Sequence, residues 1–422
     1  MNPIQAMTER GVAIWLDTLS RELIEDGRLA ELMANLAVGG VTSNPTIFAR
    51  AIGGSDRYDT QLRRELDAGL SDPRELFLAL ALEDVRRAAA LMRPLHRATR
   101  GEHGFVSLEV TPDVAYDADA TIAQALDLWH RLAAPNAMIK VPATAAGMEA
   151  VEELTLLGVN VNVTLLFAVE RYEQTIEAYL RGLERRARRG EPLGGVRSVA
   201  SFFVSRVDAK ADARLPADSP LRGEVGIANA RVAYDRFRER FAGARWDRLA
   251  ERGATAQRPL WASTAPKDPA YRDVAYLEQL ALPSTILTVP EPTLVAFADH
   301  GDPSRTRPID DRAAERVLDA APLLAEVTAE LERDGVEAFR ESYRELLDSI
   351  RERAGLVGAD PPPRARRRPR GRPAARRAAP APRALSPSPR SLRRAPGPPL
   401  GRTDRTGSSR PAAPRRPDAR SA

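Results

Sequence analysis

Over the first 360 residues, short apolar and β-branched runs alternate with longer segments whose apolar positions recur every three or four residues. Eight runs stand out: VAIWLD (12 to 17), VGGVTSN (38 to 44), GFVSLEV (104 to 110), AMIKVPA (137 to 143), VNVNVTLLF (159 to 167), SVASFFVS (198 to 205), PLWAST (259 to 264) and TILTV (285 to 289). Between most of them lie amphipathic segments such as ADATIAQALDLWHRLA, which the three-to-four spacing predicts as helices. Strands alternating with helices predict a parallel sheet. Eight such units predict an α/β fold, a closed (β/α)8 barrel with extra helices, and no GxGxxG or Walker sequence supports a nucleotide-binding alternative. The gap from Asn44 to Gly104 is too long for one crossover helix and implies an inserted helix or two. Residues 308 to 356 read as two closing helices.

After residue 360 the periodicity vanishes. Residues 361 to 422 hold 15 of the 34 prolines, 18 arginines, no lysine and only two acidic residues, Asp404 and Asp418. The expected organisation is therefore a barrel over 1 to 357 and a disordered basic tail over 358 to 422, since such a composition buries too little surface to offset chain entropy. The tail alone carries a net charge of +16, against +5 for the whole chain, so the body is acidic at −11. A basic arm of this kind can serve nucleic acid through counterion release. With no aromatic residue among its arginines to stack on bases, a passive extension is the favoured reading.

Composition narrows the chemistry further. There is no cysteine, hence no disulfide, thiolate metal site or cysteine nucleophile. His96, His103, His130 and His300 have no metal-ligand spacing, and no acidic cluster suggests a cage, so no metal is expected. No stretch reaches about 18 apolar residues and no basic patch leads into an apolar core at the start, so the chain reads as soluble and cytoplasmic, with no membrane partner.

In a barrel, active-site groups sit at the carboxyl ends of the strands. There the runs carry Asp17, Asn44, Glu109, Lys140, Thr164, Ser201 and Ser263, where buried strands are ordinarily aliphatic. In NVNVT, residues Asn160, Asn162 and Thr164 share one face. Lys140 is the sharpest candidate, one of three lysines in a chain with sixty arginines. An amine among Met138, Ile139, Val141 and Pro142 loses hydration, which favours its neutral, nucleophilic form. Guanidinium cannot form an imine, so arginine cannot replace it. The bland alternative is an ion pair with Asp17 or Glu109 and no covalent role. Those carboxylates could otherwise move the protons an imine mechanism needs, with Thr164 or Asn162 holding a water. Ser201 with Arg206, and Ser263 with Lys267, suggest a phosphate site on the late loops. Lys210 reads as an ordinary helix-face lysine.

WLDTLSRELIEDGRL, GGVTSNPTIF, VSLEVTPDVAYD, MIKVPAT, GVNVNVTLLF, SVASFFVSRVD, RPLWAST and PEPTLVAFADHG, in that order, resemble the motifs of the transaldolase family, particularly its longer bacterial branch. The resemblance spans roughly residues 10 to 355. It implies cofactor-free transfer of a dihydroxyacetone unit from sedoheptulose 7-phosphate to glyceraldehyde 3-phosphate, with sugar phosphates as partners. By the same resemblance Lys140 is the Schiff-base lysine, Glu109 the acid/base acting through a water on Thr164, and Asp17 the base for the C4 hydroxyl. Asn44 and Asn162 then bind hydroxyls, and Ser201, Arg206, Ser263 and Lys267 form the phosphate site. After WAST the branch usually continues with glycine and later KNP, whereas this chain reads APKDP, and Pro266 lacks a backbone N–H. Two rival readings are a fructose 6-phosphate aldolase that releases dihydroxyacetone to water, and an inactive barrel carrying the basic tail.

Overall fold

The computed structural model describes residues 2–308 and 310–359, so the basic segment from 361 onward lies outside the described residues. The expected boundary at 357/358 falls within the last helix, Leu324–Ala359. Eight strands follow in order: β1 (Ala13–Leu16), β2 (Val38–Val41), β3 (Phe105–Glu109), β4 (Ala137–Pro142), β5 (Val161–Leu166), β6 (Ser198–Phe203), β7 (Arg258–Ala262) and β8 (Ile286–Val289). Each pairs in parallel with its sequence neighbour, and β1 pairs with β8 to close the barrel. Seven of the eight expected runs contain a strand, and the seventh in order overlaps β7, which starts one residue earlier at Arg258. The second run ends early because Asn44 caps the helix Pro45–Gly53, with Pro45 at the first helical position, where a missing N–H costs nothing.

Strand periodicity sorts the side chains into two layers. Ile14, Leu16, Val106, Leu108, Ile139, Val141, Val161 and Val163 belong to the large core that includes the surrounding helices, while Trp15, Phe105, Met138, Val199, Leu260 and Ile286 cluster inside the barrel. The inward residues are thus apolar at the amino ends of the strands. One or two inward positions further along they become Asp17, Ser107 and Glu109, Lys140, Ser201 and Thr288. The barrel has a dry floor and a polar mouth. Trp15 fills the floor against Phe105, ring centroids 6.2 Å apart. It does so because Gly40 has no side chain; a Cβ there would stand 2.4 Å from the indole.

Between Asn44 and Gly104 the chain forms Pro45–Gly53 and Asp59–Asp67 before the crossover helix Pro73–Ala98, so two helices are inserted. A buried polar knot fastens them. Arg21 donates to Asp84 at 2.9 Å and to Gln61 at 2.6 Å, and the Tyr58 hydroxyl donates to Asp84 at 2.8 Å. The two closing helices are Asp311–Asp319 and Leu324–Ala359. The second reaches the barrel mouth, where the Thr46 hydroxyl donates to Ser342 Oγ at 2.8 Å and Phe339 joins the wall of the central cavity.

Candidate active site

Neighbouring strands set the heart of the site by register. Glu109 pairs with Lys140 across β3 and β4, and Lys140 with Asn162 across β4 and β5, so these three side chains form one inward row. Lys140 is 5% exposed. Its Nζ lies 3.4 Å from the Glu109 carboxylate and donates to the Ser43 carbonyl at 3.1 Å. Burial pushes the Glu109 carboxyl above its ordinary range, with the Lys140 charge opposing. Neither oxygen of Glu109 has a well-aligned hydrogen bond. That leaves a carboxyl that gains by holding a proton, beside an amine.

A cavity of about 310 Å³ opens above this row. Of the ten residues selected from sequence, Asp17, Asn44, Lys140, Thr164, Ser201, Arg206, Ser263 and Lys267 line it. Asn162 is fully buried beneath the lining residue Ser201, donating to Ser107 Oγ at 3.1 Å and accepting from the Ser201 hydroxyl at 2.7 Å. Glu109 faces instead a small crevice beside Phe77 and Tyr343, behind the lysine. The structure therefore brings all ten to one end of the barrel. Asn160 does not join them: its side chain is spent on the Pro135 and Ala137 carbonyls and the Arg197 N–H, at the start of β5.

Asp17 sits one residue past β1 and accepts from the Thr42 hydroxyl at 2.8 Å, which in turn meets Thr288 Oγ1 at 2.7 Å. It does not cap the next helix, a task done by Ser20. Asn44 spends its Oδ1 on the Ile47 N–H, so its amide nitrogen is the group left for a ligand. The Thr164 hydroxyl is buried with no hydrogen-bond partner among the described residues, although it borders the cavity. Such a group is costly unless something else meets it.

Beyond β6 and β7, burial lowers both Arg206 and Lys267, and Arg206 lowers Lys267 further by like-charge repulsion. A partly buried guanidinium and a more exposed ammonium that repel one another are relieved by an anion. Ser263 joins them with φ of 55° and its hydroxyl 2.9 Å from that of Ser205. A left-handed backbone is sparsely populated for serine and recurs at ligand sites. Lys210, by contrast, is tied to Glu330 and Asp334, as a surface lysine should be.

The sequence reading passed over several contributors. Thr42 and Thr288 were visible as polar residues in strand runs, whereas Phe339 comes from a helix about 200 residues beyond Lys140 and carries no local signal. Among the described residues no group of three or more His, Asp or Glu side chains could hold a metal ion, and no helix is long and apolar enough to cross a membrane.

Residues 14–350 match the family described as transaldolase/fructose-6-phosphate aldolase. A transaldolase of Saccharopolyspora erythraea is 47% identical over 358 residues, covering 83% of this chain and 97% of that protein. Those of a Parafrankia species and of Thermobifida fusca are each 45% identical, covering 85% and 83% of this chain and 99% and 97% of their own. The match runs from β1 into the helix that closes the mouth, so every strand that lends a side chain to the cavity lies within it, and the chain belongs to the transaldolase/fructose-6-phosphate aldolase family.

Proposed function

We propose that this protein is a transaldolase acting through a Schiff base on Lys140, transferring dihydroxyacetone from sedoheptulose 7-phosphate to glyceraldehyde 3-phosphate and giving erythrose 4-phosphate and fructose 6-phosphate. The observation that carries this reading is the Lys140 amine, 5% exposed at the cavity base, with the buried Glu109 carboxyl 3.4 Å away. The amine adds to the C2 ketone, and Glu109, through a water on the unpartnered Thr164 hydroxyl, supplies the proton with which the carbinolamine oxygen leaves as water. Asp17 takes the proton of the C4 hydroxyl. The C3–C4 bond then breaks, its electrons pass into the iminium as an enamine, and an aldose phosphate departs. Attack of C3 on the next aldehyde reverses these steps, with Asp17 returning the proton. Water finally hydrolyses the imine.

Asn44 and Asn162 hold hydroxyls of the three-carbon unit. Ser201, Arg206, Ser263 and Lys267 hold the phosphate, with side chains doing what a backbone N–H at position 266 cannot. Relatives named transaldolase favour transfer to an aldose over release of dihydroxyacetone to water. Nothing in the proposed chemistry calls for a cofactor.

Borohydride reduction with fructose 6-phosphate, followed by peptide mass spectrometry, tests the reading. A reduced adduct on Lys140 is expected, and none in Lys140→Arg; labelling of Lys210 or Lys267 instead would overturn it. Steady consumption of fructose 6-phosphate with no erythrose 4-phosphate present would favour the aldolase.

A further inference from the structure

Three cations on the cavity wall have no ion pair or hydrogen bond among the described residues: Arg206, Lys267 and Arg50. The proposed reaction employs the first two and leaves Arg50 idle. Arg50 belongs to the helix Pro45–Gly53, whose first turn opens at Asn44 in the site. Thr46, Ile47 and Arg50 line the cavity together, as three- and four-residue spacing on one helix face requires. Six residues past Asn44, Arg50 stands about 9 Å along the helix axis. That helix follows β2, four places round the closed barrel from β6, so Arg50 rises from the rim opposite Arg206.

A second lobe of about 490 Å³ adjoins the cavity, and Asp17, Ile47, Arg50 and Pro290 border both. Glu291 in that lobe is held by Arg28 at 2.7 Å and does not neutralise Arg50. One cavity thus has positive poles on opposite rims, and between them a wall of hydroxyl and amide groups with the Asp17 carboxylate, whose Oδ1 is held by the Thr42 hydroxyl. A sugar with a single phosphate satisfies one pole only.

We infer that Arg50 and the Arg206–Lys267 pair together hold a sugar acid phosphate, its phosphate on the late-strand pole and its carboxylate on Arg50. Guanidinium offers a carboxylate two parallel donors. An aldonic acid of this kind has no ketone for Lys140, so this ligand occupies the cavity unreacted and competes with the ketose phosphate. The inference rests on the phosphate site proposed above.

The test uses calorimetric titration of the full chain with 6-phosphogluconate and, as the uncharged-head control, sorbitol 6-phosphate, in the wild-type protein and in Arg50→Gln. In the wild-type protein the acid phosphate should bind at least about 10-fold more tightly than the alditol phosphate, and in Arg50→Gln the two should bind alike. An equal preference in both proteins, or none in the wild type, overturns the assignment. Failure of the underlying reading shows separately, as sorbitol 6-phosphate binding that Lys267→Met leaves unchanged and as no trapped ketose on Lys140.

Discussion

Glu109 and Lys140 face one another across neighbouring strands at 3.4 Å, both inside the barrel and both nearly removed from water. A buried ion pair is a weak source of stability, because desolvation of two charges offsets most of their attraction. The same contact is well suited to passing a proton, since burial raises the carboxyl while the amine beside it resists that rise.

This pairing makes Glu109→Gln informative. The amide keeps the shape and cannot give up a proton, so kcat should fall about 100-fold or more. Burial raises the carboxyl above 4.5, so its acid form survives above that pH and declines as pH rises through the folded value. A pH profile of kcat/KM should therefore lose that decline in Glu109→Gln; retention of the wild-type profile would remove Glu109 from the proton transfers.

Asp17→Asn should separate imine formation from bond cleavage. Lys140 still meets the C2 ketone, but no group accepts the C4 hydroxyl proton. Trapping with fructose 6-phosphate should then yield an adduct with the mass of the whole six-carbon sugar phosphate, where the wild type yields the three-carbon unit. A three-carbon adduct at the wild-type rate would show that another group cleaves the bond.

Asp208 supplies a pH dependence of stability. Burial pushes its carboxyl up to about 7, against the lowering effect of the Gly226 N–H that donates to it at 2.6 Å. With the folded value above the unfolded one near 3.8, the folded protein holds a proton that the unfolded chain has lost. Stability from this group is full below about 4 and is lost as pH rises through about 7, at roughly 1.4 kcal/mol per pH unit. Asp208→Asn keeps the acceptor and cannot ionise. Its Tm relative to wild type should climb between pH 5 and pH 7.5, and a constant difference across that range would contradict the assignment.

Gly40→Ala probes the floor. The added methyl meets the Trp15 ring at 2.4 Å inside a packed barrel, where overpacking costs about 1–3 kcal/mol. Denaturant unfolding should show that loss, together with a shift in the Trp15 environment visible in near-UV circular dichroism. Wild-type stability in Gly40→Ala would mean that the floor has room to give.

The barrel was legible because its pattern is local: β-rich runs and amphipathic segments alternate eight times, and each run holds or overlaps a strand. Lys140 was legible by composition, since in a chain that nearly always takes arginine a buried lysine points to a primary amine. Position along a strand also placed Asp17 and Glu109 at the carboxyl end of the barrel, because strand direction and a two-residue repeat fix both the end and the face. What one strand cannot encode is its neighbour's register. Sequence left Asp17 and Glu109 as equal partners for Lys140; ladder pairing between β3 and β4 gives the lysine to Glu109, while Thr42, one residue past β2, takes Asp17. Asn160 and Asn162 share a face, yet they lie at different depths in the barrel, so one meets backbone and the other meets Ser201 on the cavity wall. Phe339 reaches the site only because a distant helix packs across the mouth, and Arg50 opposes Arg206 only because closing the sheet sets β2 across from β6. Periodicity determined which residues point inward; the closing of the barrel decided which of them meet.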